Sequence, residues 1–437
     1  MTLFGKNDYL CKMNGFKHIL VVSAAMMFFT ACGYRAALHQ SYIPEVTTPY
    51  NGVRPEYQQL AALLQKDTGM EPTTGNALTL ITDGAQKLDL TLKEIQLAKE
   101  SIYIEYYRFC TDSAGTIIKD LLRQKAREGL DVRVMIDRSA DKIQDLKELR
   151  GMKADGVKFY EFYKPKFLLD YIVPAGGTHR DHRKMLIVDG KNVYMGGRNI
   201  QDKYFVSWRD ADVCITGPAV DHMARVYTEN MLRVNPDAEP LMESAAQNCI
   251  EEGGATVQIV PESPIDKTLA IRNCFEWAIS NAKQYFWVYS PYTPPPRTTI
   301  NALKEAAQRG VDVRWIIPGV NDVIFEKWMG ESLYKELLEA GVRIFEYQNN
   351  ILHTKQFMTD DYLTAIGSAN MDNLSFFLNY EVEAVIYDET FTRHAKEVFL
   401  NDIRDHCIEV TLDQVRKWNF LRQFRNGFIR VVAGPLA

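Results

Sequence analysis

The chain is 437 residues long, with 46% hydrophobic and 24% charged residues, which is enough apolar material to bury two ordinary globular cores. Its formal net charge is −5 at pH 7, so it lacks the overall basic field that nucleic-acid-binding proteins present to a phosphate backbone. The composition therefore argues against nucleic acid as a partner.

The first predicted element is a secretory signal over residues 1–32. Basic residues precede an apolar run at residues 19–29, which is shorter than the roughly 20 residues that a transmembrane helix needs. Small residues then lead to Cys32 in a context similar to a lipoprotein signal, so Cys32 is the predicted lipidation site. Anchoring without acylation, simple secretion and a buried core helix are the alternatives, and Met13 could be the true start. Residues 33–76 are predicted to form a tether.

The rest of the chain contains two halves that repeat the same order of elements. Each half is predicted to run strand, helix ending at glycine, strand, helix ending at glycine, strand, and then a final strand that carries a motif. This order indicates an α/β fold, here two tandem α/β/α sandwich domains at residues 77–250 and 251–437. Such halves would pack with pseudo-twofold symmetry around one shared active site. The matching segments are residues 98–107 with 282–291, 126–134 with 307–315, and 154–161 with 339–346.

Each half carries the pattern H-x-K-x4-D on its final strand. Side chains alternate along a strand, so the histidine and the lysine share a face, with a fixed positive charge beside a proton carrier or nucleophile. The aspartate falls at the strand end, where it could accept a hydrogen bond from an imidazole. One such pattern is usually an ordinary surface strand, but two at matching places in a repeat predict a catalytic site. The predicted catalytic residues are His182, Lys184 and Asp189 in the first half, and His353, Lys355 and Asp360 in the second.

A short element containing glycine and asparagine follows each motif. It ends at Asn199 in the first half and at Asn370 in the second, with Gly197 and Ser368 at matching positions. His179 lies close to the first motif and raises the question of a metal site. No carboxylate or cysteine nearby completes a coordination set, so we predict no metal there.

The C-terminal segment, residues 415–432, alternates aromatic residues with arginine and lysine. A basic, aromatic helix of this kind can lie in the headgroup region of an anionic bilayer. The alternative is a helix that packs on the second domain and leaves its arginines in solvent. Binding of this segment to anionic vesicles, or its absence, would separate the two.

The twin motifs and the G-[GS]-x-N elements together resemble those of the phospholipase D superfamily. Further stretches are similar to bacterial cardiolipin synthases, and the resemblance runs from residue 77 to the C-terminus. One departure concerns substrate selection: such enzymes usually have an arginine before the serine that matches Ser375, whereas this chain has Leu374. The similar stretches are GGRNI at 196–200, WRD at 208–210, SPY at 290–292, ELLEAGVRIFEY at 336–347 and LNYE at 378–381.

The resemblance implies a metal-independent phosphatidyltransferase that needs no cofactor. It implies that His182 attacks phosphorus to give a covalent phosphohistidine. His353 would protonate the departing alcohol and later deprotonate the incoming hydroxyl. Positive charge and amide donors would surround the non-bridging phosphate oxygens. The residues in that role are Lys184, Lys355, Asn199 and Asn370, with Gly197, Ser368 and Glu381 in support.

The implied substrates are phospholipids at a membrane surface. Phosphatidylglycerol would accept the phosphatidyl group, and phosphatidylethanolamine is a further candidate donor. The resemblance and the signal together place the catalytic domain outside the cytoplasm, attached to the bacterial cell envelope. Two alternatives share the superfamily chemistry, namely a phospholipase D-type hydrolase and a nuclease or other phosphodiesterase. A third, a non-catalytic lipid-binding protein, is disfavoured because both motifs are complete.

Overall fold

The computed structural model describes residues 44–162, 179–241, 253–266, 268–292 and 294–433. The predicted signal, Cys32 and the first part of the predicted tether lie outside these residues. So does residue 250, where the sequence places the boundary between the domains. Among the described helices, none combines the length and the apolar character that crossing a bilayer requires.

The first half has the predicted alternation of strands and helices. Its described strands are β1 (Thr73–Ile81), β2 (Ser101–Tyr106), β3 (Asp131–Asp137), β4 (Lys158–Phe162), β5 (Lys184–Val188), β6 (Asn192–Gly196) and β7 (Asp212–Thr216). Its described helices are α1 (Gln58–Thr68), α2 (Gly84–Leu97), α3 (Ser113–Arg127), α4 (Ile143–Gly151), α5 (Asp202–Val206) and α6 (Ala219–Val234), with short 3-10 helices at Pro55–Tyr57 and Met152–Asp155.

The second half repeats this order and adds elements at its end. Its described strands are β8 (Ala255–Glu262), β9 (Tyr285–Tyr289), β10 (Asp312–Pro318), β11 (Arg343–Tyr347), β12 (Gln356–Thr359), β13 (Leu363–Gly367), β14 (Glu381–Tyr387) and β15 (Cys407–Val410). Its described helices are α7 (Ala270–Asn281), α8 (Arg297–Gln308), α9 (Ile324–Glu339), α10 (Asn373–Phe377), α11 (Glu389–His406), α12 (Leu412–Arg416) and α13 (Phe420–Ala433).

All described strands join in one sheet whose order is mirrored about its centre. The order is β15-β11-β10-β9-β12-β13-β14-β8-β1-β7-β6-β5-β2-β3-β4. Strands β2, β3 and β4 run parallel, as do their equivalents β9, β10 and β11. The halves meet where β1 pairs with β8, at Thr73 with Val257 and at Asn76 with Ala255. Two equivalent sheets therefore abut, which confirms the predicted duplicated α/β fold.

Helices cover both faces of the sheet because the strands are apolar on both faces. In the first half, Ile104 and Val134 pack toward α3 and α4, while Met185 and Val213 pack toward α6. The second of these cores continues across the β1–β8 junction to Ile259. The helical segments that precede strands β3, β4, β10 and β11 each end at a glycine with positive φ, as the sequence predicts. These glycines are Gly129 (φ 95°), Gly156 (94°), Gly310 (92°) and Gly341 (97°).

The last part of the predicted tether is instead part of the second half. Helix α1 buries Leu60 and Leu64 in the core of that half. Just before it, the Tyr57 ring lies 5.0 Å from the Tyr362 ring, and the Tyr362 hydroxyl donates to the carbonyl of Gly52. The helical spacing of the leucines explains the difference, since it gives α1 an apolar face to bury. Strand β1 also begins within the range predicted as tether.

Helix α13, in the basic and aromatic C-terminal segment, packs antiparallel to α9. Arg422 and Arg425 both pair with the buried carboxylate of Glu331, and Ile429 packs against Met329. The packed alternative is therefore correct for this side of the helix, although its arginines are ion-paired. A second side remains exposed and apolar, formed by Phe420, Leu421, Phe424 and Phe428.

Candidate active site

The two motif histidines lie just before β5 and β12, in segments that the opposite half holds in place. The backbone N–H of His182 donates to the carbonyl of Tyr380 at 2.9 Å. The backbone N–H of His353 donates to the carbonyl of Arg209 at 2.7 Å. Each motif thus forms a short main-chain bridge with the other repeat, and these bridges bring the predicted site together between the halves.

His182 is oriented by a carboxylate from the second half. Its Nδ1 lies 2.8 Å and 3.0 Å from the two carboxylate oxygens of Glu381, which is fully buried. Glu381 also accepts hydrogen bonds from the hydroxyls of Ser368 at 2.6 Å and Ser375 at 2.8 Å. The predicted supporting residues Ser368 and Glu381 therefore act together, through contact with the His182 imidazole.

His353 is oriented by a carboxylate from the first half. Its Nδ1 lies 2.7 Å from Oδ2 of Asp210, which is fully buried. A Cβ atom at Gly197 would overlap the Asp210 carboxylate, so the predicted supporting glycine leaves room for that group. The Asp210 carboxylate also accepts a hydrogen bond from the backbone N–H of Ala211 at 2.8 Å.

Sequence reasoning missed Asp210 as a site residue. Residues 197–212 align without a gap to residues 368–383, and this alignment places Asp210 opposite Glu381. The strand registers agree, because Gly196 faces Asp212 in the first half and Gly367 faces Glu383 in the second. An alignment of the two halves beyond the motifs would have found the second carboxylate.

The motif aspartates do not contact the imidazoles, so the predicted role for them is wrong. Asp189 lies at the far end of β5 and accepts hydrogen bonds from the backbone N–H groups of residues 99–101. Asp360 lies at the far end of β12 and accepts from those of residues 283–285. Each motif spans the length of a strand, which separates its aspartate from its histidine. The aspartates cap the start of the neighbouring strands β2 and β9.

Lys184 and Lys355 are both buried beside the histidines. The Lys184 ammonium donates to the carbonyl of His182, and the Lys355 ammonium donates to the carbonyl of His353 at 2.5 Å. Lys355 Nζ also lies 2.9 Å from Nδ1 of His353. Burial lowers the pKa of Lys184 to about 7 and that of Lys355 to about 8. A bound anion would favour their charged forms.

The two His–carboxylate pairs differ in proton affinity. Burial lowers the pKa of His182 to about 4, and burial lowers that of His353 well below its usual value. Although burial opposes it, His182, Lys184 and the Ser368 hydroxyl hold the pKa of Glu381 below its ordinary value. Burial raises the pKa of Asp210, against the charge of Lys355. The fewer hydrogen bonds to Asp210 explain the difference.

The two predicted asparagines are also unequal. Asn199 is already engaged, since its Oδ1 accepts from the Arg108 backbone N–H and its Nδ2 donates to the Tyr204 hydroxyl. Asn370 is nearly buried, and its Oδ1 has no hydrogen-bond partner among the described residues. Of the two amides, that of Asn370 has more capacity to bind a ligand.

Aromatic rings line the site around His353. The rings of Tyr204, Trp208 and Tyr292 lie 5.2 Å, 5.4 Å and 5.9 Å from its imidazole. The Tyr107 ring lies 5.0 Å from that of His182. Among the residues that the structure describes, no group of three or more His, Cys, Asp or Glu side chains could hold a metal ion.

The same geometry accompanies a match to a known family. A family described as cardiolipin synthase, PLD-like domain matches residues 91–232 and 276–403, once in each half and around both motifs. This chain belongs to that family.

Curated members of the cardiolipin synthase family are similar along most of the chain. Cardiolipin synthase 2 of Staphylococcus epidermidis is 31% identical over 385 residues, which cover 86% of this chain and 78% of that protein. Cardiolipin synthase 1 of Bacillus cereus is 31% identical over 390 residues, which cover 86% of this chain and 75% of that protein. These matches confirm the resemblance drawn from the motifs.

Solved structures share the fold at low sequence identity. A phosphatidylserine synthase from Haemophilus influenzae has a TM-score of 0.64 at 17% identity, covering 82% of this chain and 94% of that chain. A polyphosphate kinase from Porphyromonas gingivalis has a TM-score of 0.53 at 14% identity, covering 82% of this chain and 53% of that chain. Both show that this chain shares its fold with these proteins.

Proposed function

We propose that this protein is a cardiolipin synthase-like phosphatidyltransferase, which moves a phosphatidyl group onto the hydroxyl of phosphatidylglycerol through a phosphohistidine. The observation that carries the proposal is the pair of His–carboxylate dyads with a buried lysine beside each histidine. Phosphoryl transfer to an imidazole needs this combination of nucleophile, proton carrier and fixed positive charge. The names of the curated relatives, cardiolipin synthases, support the same reaction.

His182 is the proposed nucleophile. Its low pKa keeps the imidazole neutral at pH 7, and Glu381 accepts the Nδ1 proton, so the Nε2 lone pair can attack phosphorus. The attack forms a P–N bond and breaks the P–O bond to the leaving alcohol. The ionised Glu381 carboxylate then balances the positive charge that develops on the ring.

His353 is the proposed acid and base. Burial raises the pKa of Asp210, which favours a proton shared across its 2.7 Å contact with His353. That proton passes to the departing alkoxide oxygen in the first step. In the second step the pair takes the proton of the acceptor hydroxyl, whose oxygen forms the new P–O bond as the P–N bond breaks.

Lys184, Lys355 and Asn370 are the proposed phosphate-binding groups. The two ammonium groups supply positive charge, and the Nδ2 amide group of the buried Asn370 side chain can donate to a non-bridging oxygen. Asn199 Nδ2 donates one of its two hydrogens to the Tyr204 hydroxyl, and its second hydrogen can be donated to the phosphate. Because the lysines neutralise the developing charge, the proposed reaction requires no metal ion.

Exclusion of water would decide transfer over hydrolysis, because water and a lipid hydroxyl compete for the same phosphohistidine. The aromatic rings packed around His353 leave its imidazole buried, which limits the access of water to it. A lipid acceptor would displace the remaining water with its own glycerol and acyl chains. This supports a transferase over a phospholipase D-type hydrolase.

We further propose that the enzyme works on a bilayer to which its N-terminus attaches through Cys32. Large apolar side chains are exposed at the starts of the helices that follow the parallel strands β3 and β10, on the same edge of the sheet as the site. Ile143 and Ile324 begin the matching helices α4 and α9, and both are exposed. The exposed side of α13 adds four more apolar residues beside α9. These surfaces are suited to the headgroup region.

The test is lipid turnover by the purified protein. Vesicles of phosphatidylglycerol, with and without phosphatidylethanolamine, would be incubated with wild type and with His182→Ala, and the products separated by mass. The expected result is cardiolipin from the wild type and none from the variant, unaffected by a chelator. Dependence on phosphatidylethanolamine would identify the donor. Phosphatidic acid alone would instead establish a hydrolase, and no lipid product would contradict the proposal.

A further inference from the structure

Lys203 lies on α5, next to the aromatic rings that surround His353. Its Nζ is 3.7 Å from the centroid of the Trp208 ring and 5.3 Å from that of Tyr204. Those two rings lie 5.4 Å and 5.2 Å from the His353 imidazole. The rings of Trp208 and Tyr204 therefore lie between the Lys203 ammonium and His353, the proposed acid and base. Lys203 is thus on the side of the site where the acceptor hydroxyl would bind.

The Lys203 charge has no counter-ion in the part of the chain that the structure describes. No carboxylate lies within ion-pair distance of its Nζ, and the ammonium makes no hydrogen bond there. Burial lowers the pKa of Lys203, partly opposed by the charge of Asp322 and reinforced by that of Arg108. Holding a half-buried cation without a partner is unfavourable unless an anion binds beside it.

Arg108 adds a second cation at the same place. Its backbone N–H donates to Asn199 at 3.1 Å, and its guanidinium Nε donates to the carbonyl of Ala140 at 3.1 Å. The first bond places the Arg108 main chain beside Asn199, and the second holds the guanidinium, whose charge contributes to lowering the pKa of Lys203. A guanidinium and an ammonium together can bind a phosphate with charge-assisted hydrogen bonds.

The second half has no such cation at the equivalent positions. In the gap-free alignment of the halves, Lys203 matches Leu374, Trp208 matches Asn379 and Tyr204 matches Ser375. Leu374 is exposed on α10, near the Glu381–His182 pair that Ser375 contacts. The entrance is therefore cationic beside His353 and uncharged at the matching place beside His182.

We propose that Lys203, together with Arg108, binds the second phosphate of the acceptor lipid, the phosphate that does not react. The proposal rests on the proposed function, in which phosphatidylglycerol delivers a hydroxyl to the phosphohistidine. The glycerol bridge of that acceptor links the reacting hydroxyl to its own phosphodiester. With the hydroxyl at His353, the diester must lie on the His353 side and beyond the first layer of side chains, where Lys203 is.

This site selects among acceptors without changing the chemistry. The acceptor oxygen forms a bond to phosphorus, the P–N bond to His182 breaks, and the proton passes to the Asp210–His353 pair whichever acceptor is bound. Water and free glycerol carry no phosphate, so they gain nothing from Lys203. An acceptor that carries a phosphodiester gains a charge-assisted hydrogen bond, which favours cardiolipin as the product.

The test measures how one donor is partitioned between two acceptors. Short-chain phosphatidylglycerol serves as donor and as phosphate-bearing acceptor, and deuterated glycerol is the competing acceptor. In Lys203→Gln, the ratio of cardiolipin to deuterated exchange product should fall by about 10- to 100-fold, the range for one charged hydrogen bond. Lys203→Arg should retain most of the ratio. Lys153→Gln, which removes another lysine that lies over an aromatic ring, should leave it unchanged.

Two outcomes of the partition experiment would overturn the assignment. An unchanged ratio in Lys203→Gln would show that the second phosphate does not use this ammonium. An equal fall of both products would show that Lys203 acts on His353 or on folding and not on the acceptor.

A separate measurement distinguishes failure of the proposed function from failure of this site. If the wild type forms only phosphatidic acid, the transferase proposal fails, but glycerol 3-phosphate can still be tested as an inhibitor of that hydrolysis. Inhibition that weakens tenfold or more in Lys203→Gln, and stays constant in Lys153→Gln, would support a phosphate site at Lys203. Equal inhibition of wild type and Lys203→Gln would overturn it.

Discussion

Oε1 of Glu381 lies 2.8 Å from Nδ1 of His182, although the two residues are 199 positions apart and belong to different repeats. Asp210 and His353, which are 143 positions apart, form the reciprocal pair at 2.7 Å. Each repeat thus supplies the histidine of one dyad and the carboxylate of the other. A site of this kind exists only when both halves are in place.

Replacement of the Glu381 carboxylate should disable His182, the proposed nucleophile. In Glu381→Gln the Nδ1–H of His182 loses its charged acceptor, and the developing imidazolium loses its counter-charge. We expect kcat to fall by about 100-fold or more, in line with the loss of a positioned acid–base partner. Steady-state turnover of a soluble short-chain phosphatidylglycerol would measure the change.

Glu383→Gln is the matched control for that substitution. Burial raises the pKa of Glu383 well above its ordinary value, which favours its neutral form. It accepts a hydrogen bond from the backbone N–H of Ala369, which a glutamine oxygen can also accept. Turnover should stay within a few-fold of wild type. Equal losses in both variants would mean that Glu381 has a general packing role.

The motif aspartates should affect stability and not chemistry. Asp189→Asn and Asp360→Asn each weaken hydrogen bonds to three successive backbone N–H groups at the start of a strand. We expect each to lower the free energy of unfolding by about 1–3 kcal/mol. Denaturant titration would measure this, and kcat per folded molecule should remain near that of wild type. A large fall in kcat with unchanged stability would restore the catalytic role.

Because the pKa values of the two buried lysines are lowered, we expect activity to fall as the pH rises. Lys184 and Lys355 are charged below pKa values of about 7 and 8, and the phosphate needs their charge. The value of kcat/KM for a soluble diester, which reports the free enzyme, should therefore decline through this range. A profile that is flat to pH 9.5 would contradict it, a limit set about 1 unit below an ordinary lysine pKa.

Titration of these lysines cannot itself unfold the protein over this range, because their contribution to stability changes in the opposite direction. Between pH of about 7 and 10, near the unfolded lysine pKa, the unfolded chain binds more protons than the folded one. Their contribution to stability therefore increases as the pH rises. Thermal unfolding measured across the same pH series would keep the two effects apart.

The exposed side of α13 should strengthen binding to lipid. Phe424→Ser with Phe428→Ser removes two exposed rings without touching the ion pairs to Glu331. We expect weaker sedimentation with phosphatidylglycerol vesicles, by about 10-fold or more if both rings insert, and unchanged turnover of soluble short-chain lipid. Leu97→Ser, an exposed apolar residue on α2, is the control. Equal binding by all three proteins would exclude this helix from the membrane contact.

The repeat was predictable because its signals are local. Apolar strands, helices that stop at Gly129 or Gly310, and a motif at a fixed place in each half are all visible within short windows of sequence. The same windows gave the histidines and lysines of the site. They did not give Asp210, because its contact with His353 depends on the packing of the two repeats.

Two other errors have physical reasons. The sequence predicts that each motif aspartate, at its strand end, could accept a hydrogen bond from an imidazole, yet a strand of the length of β5 holds its ends apart. The segment before β1 is predicted to be a tether because it is rich in proline, tyrosine and glutamine. Its leucines, including Leu60 and Leu64, nevertheless complete the core of the second half.

Fusion of two copies into one chain gives the site a direction that a symmetric dimer could not have. In a dimer, both histidines would have identical carboxylates and identical surroundings, and a substrate could bind in either orientation. Here Gly197 faces one carboxylate and Ser368 the other, while Lys203 is matched by Leu374. In the proposed reaction, this asymmetry lets the fused chain bind the donor lipid on one side of the site and the acceptor lipid on the other.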